Sequence, residues 1–119
     1  MDITMPRGDY RPFKFKIKNK DTTDFNQDVD EIYITFKRNR NEKDFLFQKR
    51  LSTGDITKDE EGYYHFSILP EDTDELSYTK YVFDIEICNE NPKIKQTKTG
   101  TLQLTDEITH TENEVVWWI

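Results

Sequence analysis

Cysteine, glycine and long apolar runs are scarce in this 119-residue chain, and each scarcity closes a class of function. The single cysteine, Cys88, rules out an intrachain disulfide and fits a reducing compartment. With only 4 glycines there is no glycine-rich phosphate loop. No stretch approaches the roughly 18 consecutive apolar residues of a membrane-spanning helix, so no membrane partner is expected. The opening MDITMPRGDYR has no apolar run and does not read as a secretory signal. A basic surplus is missing too. Lys and Arg number 17 against 24 acids, a net charge of -7, which argues against nucleic acid as a partner.

What remains is a chain that is 34% hydrophobic, 34% charged and 13% aromatic. Such a composition suits one thin domain with wet outer faces better than a large enzyme interior. The charge is uneven: residues 1–50 carry 12 basic and 9 acidic side chains, residues 51–119 carry 5 and 15. The asymmetry either leaves two solvated surfaces or lets copies and partners dock basic face to acidic face.

Period-2 alternation, the mark of a half-buried strand, recurs along the chain. It places Phe13, Phe15 and Ile17 inward with Lys14, Lys16 and Lys18 outward. It does the same for Ile32, Ile34 and Phe36, for Phe45 and Phe47 with Leu51 following, and for Tyr64, Phe66 and Ile68. Tyr81, Phe83, Ile85 and Ile87 form another buried row, and Leu102 and Leu104 the last clear one. Turn residues at 19–21, 39–41, 53–55, 61–62 and 89–92 separate these runs. One helical turn is expected at 70–76, with Pro70 at its start and acids in its first turn. The pattern predicts an all-β fold, an immunoglobulin-like antiparallel β-sandwich of about seven short strands with one short helical turn.

Residues 1–108 are assigned to this sandwich and residues 109–119 to a C-terminal tail. Val115, Val116, Trp117, Trp118 and Ile119 close the chain with both of its tryptophans. Either they form a final strand along the sheet, or they dock on the domain or a neighbouring subunit. Docking is the expectation, because an exposed WWI would aggregate and tryptophan suits a buried anchor. Tyr81 follows the helical turn at the spacing of a tyrosine corner, and is either that or simply its strand's first core aromatic.

Chemistry is thin. Cys88, His65 and His110 lie in no catalytic motif, and alternation turns His65 outward, so no enzyme activity and no cofactor is expected. Asp21, Asp24, Asp28 and Asp30 cluster, but without the spacing or central glycine of a calcium loop. The stripe of Lys14, Lys16, Lys18 and Lys20 is either an interface charge or a guard on an edge strand. Lys37, Arg38, Arg40 and Lys43 read as a solvated hairpin tip. Arg7-Gly8-Asp9 is the tripeptide of many integrin ligands, yet here it reads as a structural turn. Pro6 and Gly8 shape the bend, Asp9 is expected as a local acceptor, and Pro12 points to an edge strand.

In order along the chain stand PRGDYRPFKFKIKNKD, DVDEIYITFKRN, LFQKRLSTGDIT, GYYHFSILPEDTDELSYTKYVFDIEI and TKTGTLQLTDEITHTENE. This series, over about residues 6 to 114, resembles a family of small phage and prophage domains. It is similar to the immunoglobulin-like N-terminal domain of phage baseplate upper proteins. The resemblance implies a non-enzymatic virion structural protein of the tail, neck or baseplate, made in the bacterial host cytoplasm. Its implied partners are other virion proteins and itself, as a homo-oligomer. Longer baseplate proteins continue into fibres, whereas this sequence stops at VVWWI, which favours a small connector. The expected interface combines Val115, Val116, Trp117, Trp118 and Ile119 with Lys14, Lys16 and Lys18. Two other classes stand beside this one. One is a module binding host glycan or protein through Tyr10, Tyr33 and Tyr63, and the other an acidic inhibitor of a host nucleic-acid enzyme.

Overall fold

The computed structural model describes residues 1–25, 27–106 and 114–119. The element order is β1 (Asp2–Pro6), β2 (Arg11–Lys16), β3 (Glu31–Lys37), β4 (Phe47–Arg50), β5 (Thr57–Lys58) and β6 (Tyr64–Ile68). A helical turn α1 (Pro70–Thr73) leads to β7 (Lys80–Glu90), β8 (Lys93–Thr105) and β9 (Val115–Trp118). One sheet has the order β1-β8-β7-β3-β4 and the other β5-β6-β2-β9. The chain is therefore all-β, two sheets closing on one core.

Alternation explains the core directly. Buried positions in β2, β3, β6 and β7 are every second residue, and they meet across the sheet gap. Phe13 stacks on Phe66 with ring centroids 4.8 Å apart, and Phe36 on Phe83 at 5.0 Å. Gly100 makes room for this layer. A Cβ there would lie 2.5 Å from Cζ of Phe83 and closer still to the Met1 carbonyl oxygen. Among the described residues α1 is the one helical turn, with Pro70 at its start and Glu71 and Asp72 in its first turn.

Several expectations are corrected. Nine strands are present among the described residues rather than about seven. Beyond the six alternating runs read from the sequence stand β1, β5 and β9, all at sheet edges. The sheets are not purely antiparallel, since β1 pairs parallel with β8 and β9 parallel with β2. Nor is β2 an edge strand, because β6 and β9 flank it. Pro12 is tolerated there because β9 begins its pairing one residue later, at Phe13↔Val115. Phe45 is not inward but 52% exposed, since pairing of β3 with β4 stops at Phe36↔Phe47 and leaves it in the loop. The buried place two residues past Phe47 goes to Lys49, which is only 7% exposed.

Candidate functional site

The most elaborated surface lies on the outer face of the four-stranded sheet, around β9. Parallel pairing sets Phe13 opposite Val115 and Phe15 opposite Trp117. The two-residue period then turns Trp117 into the core and Trp118 out. Trp117 packs against Phe13, Phe66 and Phe83 at centroid distances of 5.1, 6.1 and 5.8 Å. Ile119 is buried, and its backbone N–H donates to the Lys16 carbonyl at 2.9 Å. The segment expected to anchor on a neighbour is thus a strand of this domain's own sheet. Only Val116 and Trp118 face outward, 41% and 58% exposed. Residues 109–113 of the proposed tail lie outside the described residues, as does His110.

Around Trp118 the lysine stripe is ordered by rings and carboxylates. Tyr63, ahead of β6, lies 5.7 Å from Trp118, tilted by 54°. The ammonium groups of Lys14 and Lys16 sit 4.6 and 4.5 Å above the Tyr63 ring, and that of Lys18 lies 4.7 Å from the Trp118 ring. Lys14 also meets Glu114 at 3.5 Å, Lys16 meets Asp24 at 3.5 Å, and Lys18 bonds Asp24 directly. The hydrogen bond from Lys18 holds the Asp24 carboxyl below its ordinary value. Lys14, Lys16 and Lys18 thus form a carboxylate-paired cation–π lattice rather than an edge guard, while Lys20 lies outside it.

His65 belongs to the same face. Its Nε2 is 2.7 Å from Asp59 and its Nδ1 is 3.6 Å from Glu114, so it joins the β5–β6 hairpin to the approach of β9. The bond to His65 lowers the Asp59 carboxyl. Cys88 lies on β7 in the other sheet, where burial first and Glu86 second push its thiol up. Among the described residues, Cys88 and His65 lie on different sheets and do not meet.

The remaining site residues are distributed. Arg7 donates its backbone N–H to Thr105 (3.1 Å) and Nη1 to the Leu76 carbonyl (3.2 Å), and its guanidinium stacks over Tyr78 at 4.2 Å. Gly8 adopts φ +80 and donates its N–H to the buried Thr73 hydroxyl at 2.8 Å. Asp9 differs from expectation. Its backbone N–H closes the turn on Pro6, while its carboxylate accepts no hydrogen bond among the described residues. The RGD triplet is a clamp between the first turn and α1, with two of its three residues tied inward. Tyr81 donates its hydroxyl to the Ser77 carbonyl at 3.0 Å.

The aspartates of the 21–30 loop have separate partners. Asp21 takes Thr23, Asp24 takes Lys18 and Lys16, Asp28 takes Lys58 at 2.6 Å, and Asp30 takes the Glu90 N–H. Among the described residues no three potential metal ligands come together. The three tyrosines singled out from the sequence do not converge. Tyr63 joins the Trp118 platform, Tyr33 lies on the other sheet under Arg50, and Tyr10 meets Ser67. Sequence reasoning missed the ion pair of Lys49 with Asp72 at 2.7 Å, which pins α1 to β4. Its signal was a lysine in phase with the inward Phe47.

Fold and surface together define an all-β protein whose most elaborated feature is an exposed aromatic and basic platform. No family model, no curated protein and no solved structure matches the chain. No helix among the described residues is long and apolar enough to cross a membrane.

Proposed function

We propose that the chain is a non-enzymatic structural protein of a phage virion, an immunoglobulin-like tail, neck or baseplate component that acts by assembling with other virion proteins and with itself. The observation that carries the assembly reading is Trp118 with Val116, held outward on a hydrogen-bonded strand at a sheet edge. A large apolar side chain fixed in place loses little entropy on docking, which is the profile of an interface anchor. The virion assignment itself rests on the ordered motifs between residues 6 and 114.

Topology supports the immunoglobulin-like part. Strands β2, β5 and β6 fall in one sheet and β3, β7 and β8 in the other, with β4 added beside β3 as in variable-type domains. Here β9 lies beside β2, where such a fold places its first strand. The Tyr81 hydroxyl reaching back to Ser77 has the geometry of a tyrosine corner.

Static light scattering of the full chain at about 0.5 M salt, where surface charge is screened, tests this reading. The wild type is expected to exceed monomer mass, and Val116→Ser with Trp118→Ser to return it to monomer while circular dichroism stays unchanged. An unaltered mass would overturn it. The Tyr63–Trp118 pair also favours a second reading, a glycan-binding platform. Glycan-array binding lost in Trp118→Ser would move the function there.

A further inference from the structure

We propose that a lysine-lined cleft at one end of the molecule receives the acidic α1 corner of a second copy of this chain, so that copies associate head to tail. The proposal rests on the assembly reading above but uses a different surface.

The cleft opens between the far end of β2 and the β7–β8 hairpin, with a volume of about 520 Å³. Lys18 and Lys20 line it on one side, and Lys93, Lys95 and Lys98 on the other, with no carboxylate side chain between them. Ile94 adds apolar surface, and Ile119, its side chain buried, borders the cleft with its carboxyl end beside Lys18. The lysines of the Trp118 platform each have a carboxylate partner. Lys20, Lys93, Lys95 and Lys98 have none among the described residues, and all are exposed. In a chain with 24 acids and 17 bases, these four unpaired cations make this end of the molecule positive. Lys98 faces the cleft from the inner side of β8, while Lys93 and Lys95, opposite Glu90 and Cys88 on β7, stand on its outer rim. Both halves of the sequence build the cleft, so the basic pole does not follow the division at residue 50.

The complementary pole is at the other end. Glu71, Asp74 and Glu75 are exposed and have no ion pair among the described residues. Asp72 alone turns inward, to Lys49 and to the Leu69 N–H. Those bonds, with the Gly8 N–H on Thr73, hold the acidic corner in one conformation. A knob already ordered loses little freedom on docking.

The two poles cannot satisfy each other within one copy. Thr73 sits on Gly8, just ahead of β2, whereas Lys18 lies beyond the end of β2. The extended chain from Arg11 to Lys18 alone, seven residues at about 3.3 Å each, separates them by about 20 Å. That distance is more than two Debye lengths at physiological salt, about 8 Å each. A contact between unlike poles is heterologous, and it builds either a ring or a filament. A polyanion such as single-stranded nucleic acid would also be drawn to the lysines, but the net charge of -7 opposes it.

The test uses full-length chain in sedimentation velocity at about 50 mM and about 0.5 M salt, between which the screening length falls several-fold. Wild type is expected to associate with rising concentration at low salt and to lose this component at high salt. K93E/K95E/K98E and E71K/D74K/E75K should each weaken low-salt association by at least about tenfold, and an equimolar mixture of the two should recover it. All six side chains are exposed, and the neutral set K93Q/K95Q/K98Q guards against misfolding by giving an intermediate loss. Low-salt association unchanged in both charge-reversed variants, a mixture that stays dissociated, or a wild type that is monomeric at low salt would overturn the proposal. So would oligo-dT binding that K93E/K95E/K98E abolishes while the association state is unaffected. If Trp118→Ser alters the high-salt mass but the charge variants change nothing, the assembly reading stands and the head-to-tail contact fails.

Discussion

Lys49 stands where the alternation of β4 calls for an apolar side chain, and the fold accepts it only because Asp72 comes to meet it. Their charged atoms are 2.7 Å apart with side-chain exposures of 9% and 13%. Asp72 also accepts the Leu69 N–H at 2.7 Å, so one carboxylate ties β4 to the entry of α1. Removing the lysine alone leaves a buried charge, and Lys49→Ala should cost about 3–5 kcal/mol. Lys49→Met combined with Asp72→Asn should recover part of that loss, since neither group is then ionised. Urea midpoints of the three proteins check this, and a cost for Lys49→Ala below about 1 kcal/mol would show the pair to be solvated. Exposed carboxylates act through pH instead. Asp24, held down by Lys18, and Asp59, held down by His65, both titrate below the ordinary aspartate value of 3.8. Depressed carboxyls favour the folded state above 3.8, and that contribution disappears as pH falls through their lowered values. Thermal stability should therefore be nearly flat from pH 5 to 7 with respect to these groups and drop below pH 4. Asp24→Asn should make the acid drop shallower, and an unchanged acid limb would count against the Lys18–Asp24 bond.

At the scale of elements, β9 divides its side chains between two jobs, and mutation should separate them. Trp117 touches Phe13, Phe66 and Phe83, so Trp117→Ala is expected to destabilise by about 3–5 kcal/mol. Trp118 lies outside, and Trp118→Ala should stay within about 0.5 kcal/mol in the same denaturation experiment. Equal losses at both positions would mean that the strand does not hold its register on β2. That division was not legible in the sequence, where five apolar residues in a row have no alternation to read. Strands β2, β3, β6 and β7 were legible because each run, counting Ile17 just past β2, shows three or more inward residues at strict spacing, with charged or polar neighbours. β1 was not, although Ile3 and Met5 are buried, because two apolar residues ending in Pro6 resemble a lead-in. Its partner, β8, lies about a hundred positions along the chain, with Asp2 opposite Thr101. β5 has two residues and no buried side chain, so it exists only through its pairing with β6. Of the platform, the lysine spacing could be read locally. The meeting of Tyr63 with Trp118 could not, because it depends on a parallel pairing between the two ends of the chain.

For the whole molecule, the two parallel pairings decide how cooperatively it folds. β1 with β8 and β2 with β9 each join segments from opposite ends of the chain, so neither pair forms before the intervening strands are in place. Folding on the slow side for a domain of this size, in milliseconds to seconds, is the expectation from such topology. Both tryptophans of the chain are on β9, so fluorescence follows the docking of that one strand, while far-UV circular dichroism follows all the sheets. If Trp117 is an integral part of the core, as its three aromatic contacts imply, the two signals should give coincident urea transitions. Trp118→Phe should leave the fluorescence transition in place, because the buried indole reports it. A fluorescence transition at lower urea than the dichroism transition would make β9 a separately released strand. Coincidence would instead tie the exposed platform to the global stability of the sandwich, so that Val116 and Trp118 are presented only by a fully folded molecule.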